Sequence, residues 1–271
     1  MSSLIVVPPS PHLPAAITRP PRPRLDAFGL SHPGIVRRGN EDAYLVLTSL
    51  GLFAVADGMG GAAAGEVASR LAIDTVRAVF EDPDLTWPCG LAPPPPTRDL
   101  PLLVTAIEHA NCRVQAAARA DPGKAGMGTT FTGIVVLDGH VAVGHVGDSR
   151  AYLLRGRRLQ QLTHDHSLVN HFVDVGTMTR EEAERSPLRH ILSRALGAED
   201  SIEVDRRLVA TEAGDTFLLA SDGLHGIVSD DDIAAVLLGE RDLARAATDL
   251  VEHANDAGGP DNITVVLVRI G

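Results

Sequence analysis

Leu52-Phe53-Ala54-Val55-Ala56-Asp57-Gly58-Met59-Gly60-Gly61 is the stretch on which the fold turns. An apolar, strand-like run ends on an acid and a glycine. The glycine pair then releases the chain into a helix, where Ala68, Ala72, Val76 and Val79 share one face. The same ending recurs where Phe217-Leu218-Leu219-Ala220 runs into Ser221-Asp222-Gly223. Asn40-Glu41-Asp42 lies upstream, and Gly259-Pro260-Asp261-Asn262 sits just before the apolar run Ile263–Val268. One Asp-Gly alone would be a turn. Two at strand ends, joined by two further acidic motifs, point elsewhere. Carboxylates at strand ends converge on one rim of a sheet, and they repel unless something positive sits between them. The economical reading is a cluster of hard divalent cations held by oxygen ligands.

Outward from these motifs the chain alternates between two periodicities. Strand-like runs cover 44–48, 52–56, 130–137, 140–146, 151–155, 216–220 and 263–270. Asp138-Gly139 between two of them is a hairpin signal. Leu103, Ile107, Ala110, Val114 and Ala117 form a second helical stripe, and Leu243, Ala247, Leu250 and Ala254 a third. Tight turns between strand pairs imply mainly antiparallel sheet with long helices packed outside. Helices arriving in blocks argue against a doubly wound parallel fold. The class is therefore α+β.

Residues 1–24, ending in Pro20-Pro21-Arg22-Pro23-Arg24, are expected to form a disordered tail, with the working domain over 25–271. A loop is expected around Pro93–Pro96. The polar stretch from Thr163 to Gly197 reads either as a flap beside a catalytic rim or as a plain surface excursion. Within it, Thr179-Arg180-Glu181-Glu182 signals a capped helix.

With 271 residues, 44% of them hydrophobic, the chain can bury the core of one large domain. Only 3% are aromatic, so Val, Leu, Ile and Ala must fill it. A net charge of -11 argues against nucleic acid as a partner. Cys89 and Cys112 form no CxxC pair and are expected to be ordinary thiols. The apolar start Leu4–Val7 is too short for a signal-peptide core, and no run approaches a membrane span. The expectation is a soluble, cytoplasmic protein.

Arg37 with Asn40-Glu41-Asp42, Ala56–Gly61, Gly128-Thr129-Thr130, Gly147-Asp148-Ser149-Arg150, Ser221-Asp222-Gly223 and Gly259–Asn262 together resemble the metal-dependent protein phosphatases (PPM, type 2C), nearest the bacterial serine/threonine members. The motifs follow the family order from about Leu25 to the C-terminus. The resemblance implies a four-layer α-β-β-α sandwich of two mainly antiparallel sheets flanked by helix pairs. It also implies two Mn2+ or Mg2+ ions, with a weaker third; separately, a monomer is expected. Asp57 would bridge the pair, Asp222 and Asp261 would complete one site, and the Gly58 carbonyl would serve the other. Glu41 would reach that second site directly or through water. Asp42 would orient a coordinated water, and Asp148 with Asp222 would hold the third ion. Arg37 would bind phosphate, for which its planar fork is suited. Water or hydroxide between the ions would attack phosphorus in line. The substrates implied are proteins phosphorylated on serine or threonine by a bacterial kinase.

One departure touches the proton donor. Family members often carry a histidine near the Asp-Gly motif, where this chain has Met59 and Ala62. Metal-bound water is the first candidate to protonate the leaving group, and His164 and His166 are the substitutes. Ser149 and Ser221 read as turn hydroxyls. Two rival functions remain open in the sequence: a silent relative that binds phosphoproteins, and a phosphatase for small metabolites.

Overall fold

The computed structural model describes residues 24–60, 64–82 and 99–271. All of the proline-rich tail but Arg24, together with Ala62, Cys89 and Pro93–Pro96, lies outside the described residues.

Every strand pairs antiparallel with its neighbours. One sheet has the order β1 (Leu25–His32), β11 (Ile263–Ile270), β10 (Thr216–Ala220), β7 (Arg150–Arg155), β8 (Arg158–Gln161). The other runs β2 (Asp42–Leu47), β3 (Leu52–Met59), β5 (Phe131–Val136), β6 (His140–Val146), β9 (Asp205–Ala210), with the short β4 (Gly128–Thr129) paired to the end of β3. The β5–β6 hairpin turns at Asp138-Gly139, where Gly139 has φ 68°, as its sequence demands.

The long apolar runs show no polar alternation because both faces of these strands are covered. Phe53 and Val55 of β3 point into the core between the sheets, with Ile134, Val143, Phe217, Leu219, Val266 and Val268. Leu52, Ala54 and Ala56 point the other way, onto α1 (Ala64–Glu81) and α2 (Leu100–Ala120). On the second sheet Leu218, Ala220, Val265 and Leu267 pack against α6 (Asp230–Gly239) and α7 (Leu243–Asp256). The result is four layers, helix–sheet–sheet–helix. With few aromatics the core rests on many aliphatic side chains, each contributing about 1.5–3 kcal/mol when fully buried.

The insertion holds α3 (Leu168–Asp174) and α4 (Arg180–Arg185), and the expected cap on α4 is a complete capping box between Thr179 and Glu182. The short α5 (Asp222–His225) starts on the second Asp-Gly. Strands β1, β4, β8 and β9 are absent from the sequence expectation. β1 and β9 lie at sheet edges, where Asp26, Arg206 and Arg207 face outward and no clean apolar run is required. Cys112 corrects the expectation of free thiols, because it is disulfide-bonded. Pairing depends on where tertiary structure brings the Cα atoms, which residue spacing does not report. Among the described residues no helix is long and apolar enough to cross a membrane.

Candidate metal centre

The alternation that sends Phe53 and Val55 between the sheets carries on to Asp57, which arrives at the open end of the sandwich. β2 pairs in register with β3, so Asp42 sits directly opposite Asp57. Asp222 follows β10 and Asp261 precedes β11, the neighbour of β10 in the other sheet. Asp148 lies in the turn between β6 and β7. Five chain segments thus deliver acids to one rim.

Backbone contacts fix them there. The Asp57 N–H donates to Thr130 Oγ1 (2.9 Å), and the Asp57 carbonyl accepts from Thr129 Oγ1 (2.8 Å) and the Thr130 N–H (2.8 Å). Asn262 knits the remaining motifs: its Oδ1 accepts from the Glu41 N–H (2.8 Å), and its amide donates to the carbonyls of Pro33 (2.9 Å) and Gly39 (2.8 Å). The Gly58 N–H donates to the Glu41 carbonyl at 3.1 Å. Gly58 is required for close approach rather than for a turn, since it continues strand β3. A Cβ there would run into the carbonyls of Gly65 and Glu41. Gly223 has the same role against the Asn262 carbonyl.

The electrostatics are those of crowded like charges. Burial, then repulsion from Asp42, Asp222, Asp148 and Asp261, holds the Asp57 carboxyl well above the usual range. Burial pushes Asp42 up to about 7, although Thr264 and Ser221 hydroxyls oppose the shift. Burial and then Asp222 push Asp148 up to about 8. Burial also raises Glu41, with Arg37 pulling the other way. Asp222 is held low despite its burial by His190, His225 and a hydrogen bond with Asp57. Asp42 Oδ1 and Asp222 Oδ1 are buried with no hydrogen-bond partner, a costly arrangement that a cation would relieve. The donor set is all oxygen and fits hard divalent ions. Among the described residues no three acidic, His or Cys side chains close into a compact cage on their own. Mutual repulsion and the Arg37–Asp261 pair are reasons for that spread. A cavity of about 510 Å3 lined by His145, His164, Asp205 and Arg207 contains none of these acids, so charge rather than concavity marks the centre.

Arg37 Nη2 donates to Asp261 Oδ2 at 2.8 Å, and its side chain is 55% exposed. Arg38 is a surface charge. Ser221 is more than a turn hydroxyl. Its Oγ donates to Asp42 Oδ2 (2.8 Å), which also accepts from Thr264 Oγ1 (2.6 Å). Ser149 Oγ pairs with Thr130 Oγ1 at 2.7 Å. The two histidines considered as proton donors are committed elsewhere: His164 to Asp174 (2.8 Å), and buried His166 to the Gly147 N–H (3.0 Å) and Asp205 (3.2 Å). The insertion instead brings His190 Nδ1 to 3.9 Å from Asp222 Oδ2, and half-buried His225 donates from Nε2 to the Asp148 carbonyl (3.1 Å). Neither has a sequence signal beyond its polar neighbourhood.

Residues 37–267 match the Protein phosphatase 2C family. The chain belongs to that family. This phosphatase is 36% identical over 247 residues to the serine/threonine phosphatase stp of Listeria monocytogenes, covering 87% of this chain and 92% of the relative. Its fold superposes on the crystal structure of the serine/threonine phosphatase PstP/Ppp of Mycobacterium tuberculosis with TM-score 0.81 and 38% identity, covering 91% of this chain and 98% of that one. A PstP catalytic domain solved with 2 manganese ions superposes with TM-score 0.78 at 38% identity, over 91% of this chain and 98% of that one. The two antiparallel sheets between helices agree with the sandwich expected from the motifs.

Proposed function

We propose that this phosphatase, over residues 25–271, hydrolyses phosphoserine and phosphothreonine in proteins, opposing a serine/threonine kinase, with two Mn2+ or Mg2+ ions at the rim. The observation that carries the reading is the convergence of Asp42, Asp57, Asp148, Asp222 and Asp261, with the buried Oδ1 atoms of Asp42 and Asp222 unpartnered. The relative solved with 2 manganese ions supports the choice of metal.

Asp57, Asp222, Asp261 and the Gly58 carbonyl would hold the pair, with Glu41 beside it and Asp148 serving a weaker third ion. When bound, the ions supply an activated water and neutralise phosphoryl charge for in-line attack. The protein's own groups do the positioning. Asp42, pinned through Oδ2 by two hydroxyls, presents its bare Oδ1 as an acceptor that orients the attacking water. Arg37 stands at the lip on a carboxylate oxygen of Asp261, a contact that a phosphoryl oxygen can replace. No side-chain nucleophile is needed, and Ser149 and Ser221 are occupied by internal hydrogen bonds.

Calorimetric titration of the metal-free protein with Mn2+ tests the centre. Two equivalents are expected for the wild type and fewer for Asp222→Asn. A folded wild type that takes up no Mn2+ would remove the proposal.

A further inference from the structure

Among the described residues eight large apolar side chains are exposed. Four of them, Ile35, Val36, Leu188 and Ile191, lie on the two segments that reach the carboxylate cluster. One segment touches it through Arg37 on Asp261 and the other through His190 near Asp222. Chance placement on a surface would scatter them.

Neither segment is slack. The Ile35 and Val36 N–H groups both donate to the Gly259 carbonyl, at 2.8 and 3.2 Å, fastening that loop to the turn that carries Asp261. The other is a tight turn in which Arg189 N–H donates to Ser186 and Ile191 N–H to Leu188. Its base is tied to the sheet end by Leu168 N–H to Ile191 (2.8 Å) and Ser193 N–H to His166 (2.9 Å). Ordered backbone is presenting exposed Ile, Val and Leu to water, which folding alone does not favour. The cations interleaved with them, Arg37, Arg38 and Arg189, are also exposed, in a chain whose net charge is -11. The local surface is thus apolar and positive around an acidic centre.

We infer that these two segments form a substrate-selecting rim. It takes an extended phosphopeptide whose phosphorylated residue stands over the acids and whose neighbours within two positions on either side are apolar. The reading rests on the phosphatase function proposed above. Charge complementarity favours this occupant: the phosphoryl group is anionic and meets Arg37. Lysine or arginine beside it would face Arg38 and Arg189. In an extended peptide two residues span about 7 Å, so flanking side chains lie beside the phosphorylated position rather than over the acids. His190 and Arg189 border the phosphorylated position, and Leu188 and Ile191 grip what flanks it.

The test is a series of phosphothreonine pentapeptides with Val and Leu, Ser, or Lys at the flanking positions. Each is assayed with Mn2+ against wild type, Leu188→Ser/Ile191→Ser and Ile35→Ser/Val36→Ser, with p-nitrophenyl phosphate as a substrate lacking flanks. For the wild type kcat/KM should be about tenfold higher with apolar than with Ser flanks, the size expected from one or two partly buried aliphatic contacts, and lowest with Lys. Each double variant should cut the apolar preference to about threefold or less, while p-nitrophenyl phosphate turnover moves less than about twofold. Equal kcat/KM across the series, or a preference that survives in both variants, would overturn the inference. A wild type that hydrolyses neither p-nitrophenyl phosphate nor any peptide would instead bring down the phosphatase reading beneath it.

Discussion

Asp42→Asn should make the metal-free protein more stable while disabling it as an enzyme. Asp42 is 9% exposed, its Oδ2 accepts from Ser221 and Thr264, and its Oδ1 has no partner. An asparagine keeps an oxygen for the two hydroxyls and places an amide NH2 where the bare Oδ1 faces other carboxylates. Each pKa unit is worth about 1.4 kcal/mol. Carrying the carboxyl from 3.8 to about 7 thus costs the folded chain up to about 4 kcal/mol at pH 8. Coupling to Asp222 and local relaxation reduce the expected gain to about 2–3 kcal/mol. The sign follows from a folded-state value that is raised. Stability from the protonated group is complete below about 3.8 and is lost as pH rises toward 7 and beyond. The advantage of Asp42→Asn should therefore be greatest at pH 8 and vanish near pH 4. Urea unfolding in EDTA reads it as a midpoint shift on the order of 1 M at pH 8. Saturating Mn2+ should abolish or reverse the gain, because cations then face the native carboxylate. An Asp42→Asn protein that is no more stable than wild type at pH 8 in EDTA, or whose gain ignores pH, would refute the electrostatic account.

Three further outcomes follow from the site. Arg37→Ala should raise KM for phosphopeptides by about tenfold or more, with a smaller fall in kcat, because it removes a charge-assisted contact to the phosphoryl group; steady-state kinetics separates the two. Asp148→Ala should weaken the dependence of turnover on millimolar Mn2+ while leaving the tight pair in calorimetry, since Asp148 comes from the separate turn after β6 and is assigned only to the weaker ion. Gly58→Ala should destabilise the fold by about 1–3 kcal/mol and depress activity, as its methyl would strike the carbonyls of Gly65 and Glu41; thermal unfolding and turnover together report it.

The architecture was legible because the inner strands of both sheets are covered on two faces, so runs such as Leu52–Ala56 and Val265–Val268 are apolar throughout. The Asp-Gly and Pro-Asp-Asn endings then marked the rim. What escaped depends on partners distant in sequence. β1 and β9 are edge strands whose outward residues need no apolar pattern, and they are strands only because β11 and β6 offer them a ladder. Ser221 and Thr264 carry no sign that their hydroxyls converge on Asp42, 179 and 222 residues away. His164 and His166 looked available because they begin the polar insertion, yet Asp174 and the Gly147 N–H claim them. His190 sits near Asp222 only because the turn at 186–191 is tied back to residues 166–168. Asn262 stood within a quoted motif, but its work as a clasp for Glu41, Pro33 and Gly39 is visible only in three dimensions.

The most direct measurement of the central claim is hydrolysis of a phosphothreonine peptide by purified protein with Mn2+, with EDTA, and by Asp222→Asn with Mn2+. Turnover in Mn2+ that disappears in EDTA and in the variant is expected, because Asp222 is an anionic ligand the cations need. Full activity in Asp222→Asn, or turnover indifferent to EDTA, would contradict a reaction run by divalent ions on this carboxylate rim.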